Sequence, residues 1–180
     1  MEDRTVPNFV QCNRGERAIG IGAIAEENVI NELFRRGYDV ERNQPCVDWD
    51  MKPVPGYDII VNGKHKIEIK SCWGKSDDGR LYETAYLQTK KGNGSGFYCR
   101  EDWYSAKYAP KFVILYNHAT EEAHLYNRDK LAAWCDEQRH IPMKDSSWTL
   151  GVLINWIERE AGYITTFDAS GRLHKEIEEA

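Results

Sequence analysis

Gly56-Tyr57-Asp58-Ile59-Ile60-Val61-Asn62-Gly63-Lys64-His65-Lys66-Ile67-Glu68-Ile69-Lys70-Ser71 decides how this chain is read. Two alternating or apolar runs flank Asn62-Gly63, and Asn-Gly between such runs is the strongest short hairpin signal a sequence offers. By the period-two rule Ile67 and Ile69 share one face of the second strand, and Lys66, Glu68 and Lys70 share the other. Asp58 heads the first strand, so the turn carries an acid alongside an acid and a lysine; sequence alone leaves the register open. Two carboxylates brought that close repel each other and rise in pKa unless a cation neutralises them, and a hard dication needs one or two carboxylates besides water and phosphate. A lysine two residues from the glutamate then orients or deprotonates water, or stabilises a pentavalent phosphate. The competing reading is a plain amphipathic strand with a charged, solvated face, and on Glu-x-Lys alone that reading prevails.

Working outward, helical spacing of Ile19, Ala23, Glu26, Ile30, Leu33 and Phe34 predicts a first helix over about 20–36, stopped by Gly37. Extended runs follow at 38–42, 81–89, 111–116 and 123–126, with a short helix at 101–108. Asn127 is placed to cap a helix over 128–138, and 148–159 reads as a last helix or a mixed strand and helix. Helix, strands, helix, strands, helices make an α/β or α+β sheet domain.

The 180 residues, 41% hydrophobic and 12% aromatic, are expected to form one domain over 1–180. That composition excludes disorder, and no apolar run reaches the roughly 20 residues that cross a bilayer. The first residues lack a secretory layout, which makes the cytoplasm the expected compartment. Five cysteines without a CxxC pair are read as reduced packing residues, not zinc or iron-sulfur ligands. The five histidines show neither HxH nor HExxH spacing, and no serine or cysteine nucleophile signature occurs. Net charge is −5, but it is uneven: residues 64–111 hold ten basic and six acidic side chains, against seven and eleven in 1–63 and seven and twelve in 112–180. A basic middle on an acidic body permits local nucleic-acid contact and argues against non-specific coating.

Taken in order, Gly22 to Tyr38 with its helix acid, Gly56 to Val61, and Ile67-Glu68-Ile69-Lys70-Ser71 resemble the PD-(D/E)XK nuclease superfamily, which includes restriction enzymes, Holliday junction resolvases and some homing endonucleases. The likeness covers roughly residues 20–72, with about thirty residues from helix acid to Asp58 and nine between Asp58 and Glu68. Gly56-Tyr57 stands where the family name has proline before the aspartate. The resemblance implies a restriction-endonuclease-like central mixed β-sheet flanked by helices, and a Mg²⁺-dependent endodeoxyribonuclease, with Mn²⁺ as a substitute. It implies that Asp58 and Glu68 ligate the metal, Lys70 activates water, and a helix glutamate completes the environment. Glu26 is chosen over Glu27 because it lies nearer the apolar stripe and eleven residues before Gly37.

Gln88 on the following strand, with Lys90 and Lys91 leading into Gly92-Asn93-Gly94-Ser95-Gly96, is the expected DNA contact; solvated strand and mobile loop are the plain alternatives. Trp73 and the Arg100–Tyr104 run either stack on a base or pack. Cutting both strands of a duplex calls for a homodimer. The alternative function is a non-catalytic nuclease-fold module that binds nucleic acid or protein.

Overall fold

A computed structural model of the chain describes residues 14–43, 57–90, 110–143 and 146–170. Helix α1 (Arg14–Arg35) comes first, followed by strands β1 (Val40–Arg42), β2 (Ile59–Val61), β3 (His65–Cys72) and β4 (Thr84–Lys90). Then come β5 (Phe112–Asn117), β6 (Glu122–Asn127), helix α2 (Arg128–Glu137), β7 (Ile141–Met143), β8 (Ser146–Asn155) and β9 (Tyr163–Asp168). None of the described helices is long and apolar enough to cross a membrane.

Six strands form a mixed sheet in the order β1-β2-β3-β5-β6-β9, in which only β3 and β5 run parallel. Alternation along the strands gives this sheet two apolar faces. Ile59, Val61, Ile67, Ile69, Ile114 and Tyr116 meet Ala25, Val29, Ile30 and Leu33 of α1 on one face. Cys72, Val113, Leu115 and Tyr126 meet Ala85, Leu87, Val152, Ile154, Leu131 and Cys135 on the other. The second face is therefore covered by a three-stranded antiparallel sheet, β4-β8-β7, together with α2. The central mixed sheet of the sequence reading is present, but a helix covers only one face alone; a small sheet shares the other.

Two sequence expectations change. The 148–159 run is strand β8 followed by a turn, not a helix: Val152 and Ile154 are buried while Leu153 and Asn155 are exposed, a period of two. Its apolar residues also fit helical spacing, and pairing with β4 decides between the two periods. The stripe of α1 is rotated as well. Ala25, Val29 and Leu33 face the core, whereas Ala23 and Phe34 face solvent. The run at 101–108 lies outside the described residues. Cys72 and Cys135 are buried free thiols, as packing cysteines should be.

Asn62 and Gly63 both take positive φ, 53° and 60°, the mirror-image turn that matches the twist of a hairpin. Gly74, just past β3, has a different constraint. Its φ is +72°, and a Cβ there would stand 1.7 Å from the Asn117 side-chain oxygen. That oxygen already accepts from the Ala119 and Thr120 amides, so it has no room to yield. Gly74→Ala is expected to cost about 3 kcal/mol, read as a lower urea midpoint at unchanged slope.

Candidate active site

β2, between β1 and β3, begins beside the middle of β3, with Ile59 paired to Ile67 as the terminal rung. Past that rung the ladder is irregular. The Asp58 amide donates to the Ile67 carbonyl at 2.9 Å, and the Asp58 carboxylate accepts the Ile69 amide at 2.6 Å. A side chain thus takes the position a strand carbonyl would fill, which fixes the carboxylate against the backbone between Glu68 and Lys70. Regular pairing continues on the other side, where the Asn43 amide donates to the Asp58 carbonyl.

Glu68 points away from α1 and is 5% exposed. Lys70, on the same face one pleat further, places Nζ 2.6 Å from Glu68 Oε1, its side chain about a third exposed. A buried carboxylate with one accessible lysine is poised between two costs. Burial pushes the Glu68 carboxyl up to about 7, the Lys70 charge and hydrogen bond pull it down, and the Asp58 and Glu26 charges raise it again. Asp58 is likewise raised by burial, against the pull of the Ile69 amide and Lys70. Glu26, at the margin of the α1 stripe, is raised by burial and then by Asp58, and lowered by Arg42 and Lys70. Glu26, Asp58, Glu68 and Lys70 therefore act on one another. Glu27 does not enter this group: it is exposed and bonds Arg42 at 2.8 Å.

The donor set fits a hard dication. Asp58 and Glu68 are two carboxylates that each ionise reluctantly in the folded chain, and an added cation relieves both. Among the described residues no three His, Cys, Asp or Glu side chains gather closely enough to share one ion. Two carboxylates with waters suffice for Mg²⁺, and Glu26 then contributes charge from outside the direct ligands.

Linkage gives a test of this electrostatic balance. The folded chain holds the Glu68 proton more tightly than the unfolded chain does. The group's stabilising contribution is complete below the unfolded value near 4.5 and is lost as pH rises through about 7. Glu68→Gln removes that loss. In EDTA at pH 8 the variant is expected to melt higher than wild type, by on the order of 5 °C, with the gain fading between pH 7 and 4.5.

The residues expected to contact DNA lie on β4 and after it. Gln88 lies on the face of β4 opposite Leu87 and Thr89, which are buried, and pairs across to Gly151 of β8. Lys90 ends β4, opposite Leu150. Lys91, the glycine-rich loop and the Arg100–Tyr104 run lie outside the described residues. Trp73 is half exposed, its ring 6.1 Å from that of His118. Sequence reasoning missed Arg42, the cation between Glu26 and Glu27, because a single arginine on a three-residue strand carries no pattern.

No family model matches this chain, and no curated protein matches it. Among solved structures it is similar to a bacterial homing endonuclease at 18% identity and a TM-score of 0.42, over 62% of this chain and 69% of that one.

Proposed function

We propose that the chain is a metal-dependent endonuclease that hydrolyses DNA phosphodiester bonds, with its site on Glu26, Asp58, Glu68 and Lys70 and a fold of the PD-(D/E)XK kind. The observation that carries the reading is the meeting of two carboxylates, one seated on the Ile69 amide and one buried, with an accessible lysine bonded to the second. A charged strand face exposed to water would not bury its glutamate.

Asp58 and Glu68 would hold Mg²⁺, or Mn²⁺ in its place. When bound, the ion supplies positive charge to phosphate oxygens and lowers the pKa of water. Lys70 Nζ reaches solvent beside Glu68 and orients the attacking water or donates to a phosphate oxygen. Glu26, whose carboxyl is raised by burial and by Asp58, is suited to hold a water on the helix side. The water oxygen bonds to phosphorus opposite the 3′ oxygen, whose bond breaks and which takes up a proton; the other product keeps a 5′ phosphate.

A backbone phosphate would approach beside Glu68 and Lys70, past the start of β2, and Lys90 and Lys91 would supply counter-charge. A homodimer would bring two such sites to opposite strands. The test is a panel of end-labelled duplex, branched and single-stranded DNA and RNA, each with Mg²⁺, Mn²⁺ or EDTA. Cleavage of DNA that EDTA abolishes supports the proposal; binding without cleavage in every metal favours a non-catalytic binding module.

A further inference from the structure

The carboxylates and lysine of this site come from three places: Glu26 rides on α1, Asp58 stands just before β2, and Glu68 and Lys70 ride on β3, which shares no backbone ladder with α1. The β2 ladder stops at Ile59, and among the described residues the second half of β3 is paired with β5. Beyond the Asp58 carboxylate on the Ile69 amide, no second strand among the described residues pairs with Glu68 to Cys72. Something on the far face must hold this part of β3 in place.

Ser71 follows Lys70 and points to the α1 face, opposite to Lys70. Its Oγ shares a hydrogen bond of 2.6 Å with His118 Nε2, and the His118 amide donates to the Cys72 carbonyl at 3.0 Å. The Tyr116 and His118 rings meet edge to face, with centroids 4.9 Å apart at 80°. The Tyr116 hydroxyl accepts from Asn28 Nδ2 at 2.8 Å and donates to the Ala169 carbonyl at 3.4 Å. Asn28 stands two residues after Glu26 on α1. A chain of four side chains, Asn28, Tyr116, His118 and Ser71, therefore joins the helix turn bearing Glu26 to the strand turn bearing Lys70.

We infer that Tyr116 and His118 are positioning residues of the proposed nuclease site, setting the distance between Glu26 and the Glu68–Lys70 pair and the direction in which Lys70 points. The inference rests on the proposed function. Because successive strand side chains face opposite ways, pinning Ser71 on one face fixes the rotation of β3 and so the aim of Lys70 on the other. Tyr116 is 1% exposed and its hydroxyl lies wholly within this chain of contacts, so its role is exerted through its neighbours and not on substrate.

The experiment compares wild type with Tyr116→Phe, His118→Phe, Ser71→Ala and Ser71→Thr at a temperature where each is folded. Two readouts are taken: steady-state cleavage of duplex DNA with Mg²⁺, and amide hydrogen exchange of the protein alone. Tyr116→Phe, His118→Phe and Ser71→Ala are expected to lose on the order of tenfold to a hundredfold in kcat with KM within about twofold. Exchange should quicken at Ser71 and Cys72. Ser71→Thr, which keeps the hydroxyl, should restore kcat. Variants with wild-type kcat, or with amides of unchanged protection, overturn the inference, as does a loss spread equally over kcat and KM that Ser71→Thr does not rescue. A wild type that cuts nothing in any metal overturns the nuclease reading and the catalytic role with it. In that case the exchange data still decide whether the mechanical link exists.

Discussion

Lys70→Ala is expected to lower the single-turnover rate of DNA cleavage about a thousandfold while leaving the chain folded. The side chain is about a third exposed, so truncating it opens no cavity. Two losses combine. The attacking water loses the group that orients it, and Glu68 loses the cation and hydrogen bond that hold its carboxyl down against burial. The Glu68 carboxyl then rises beyond about 7, and ionising it to receive a dication becomes harder at neutral pH. The residual activity of Lys70→Ala should accordingly have its acidic limb displaced to higher pH than wild type and need more Mg²⁺ at pH 7 than at pH 8.5. Lys70→Arg should recover part of the pH displacement and little of the rate, since a planar guanidinium keeps the charge without the compact donor geometry. Rates measured across pH and Mg²⁺ concentration check both statements. A purely structural strand face predicts no change in either.

Asp58→Asn is expected to abolish cleavage, by about a thousandfold or more, without weakening the fold. The amide oxygen can still accept the Ile69 N–H that the carboxylate accepts at 2.6 Å, and the buried charge that the fold tolerates poorly is gone. Mn²⁺ binding, followed by titration calorimetry, should disappear with the activity. Asp58→Ala differs in one respect: it leaves the part-buried Ile69 amide without its acceptor, which costs about 1–3 kcal/mol. Comparing the two variants in urea therefore separates the residue's place in the sheet from its chemistry. Equal destabilisation of both would mean that Asp58 matters only as a charged hydrogen-bond acceptor.

Local signals in the sequence were strong where one short stretch determines its own structure. The Asn62-Gly63 turn, the stop at Gly37, and the Asn127 side chain that accepts the Lys130 amide at the start of α2 each depend on a few neighbouring residues. So does the pairing of Glu68 with Lys70, which period two alone puts on one face. Contacts made across the chain were not legible. The seat of Asp58 on the Ile69 amide depends on an irregular rung that no turn rule supplies. The small sheet behind β3 is assembled from β4, β7 and β8, so whether 148–159 buries a helical stripe or alternate residues is decided by β4.

β9 went unread although five of its six residues, Tyr163 to Phe167, are β-branched or aromatic. Its run does not alternate cleanly between polar and apolar, and its burial is set by β6. Gln88 was read from the family's pattern and not from a local signal; β4 belongs to the smaller sheet, and alternation with buried Leu87 turns the Gln88 side chain away from the shared core. The link from Asn28 to Ser71 spans residues far apart in the chain and has no local signature.

The most direct test of the central claim is nicking of supercoiled plasmid by wild type and by Asp58→Asn, purified side by side, in Mg²⁺ and in EDTA. The account predicts open-circular or linear product from wild type in Mg²⁺ alone and none from Asp58→Asn in either. Product formed by wild type in EDTA, or by Asp58→Asn in Mg²⁺ at the wild-type rate, would contradict a metal site built on Asp58 and Glu68.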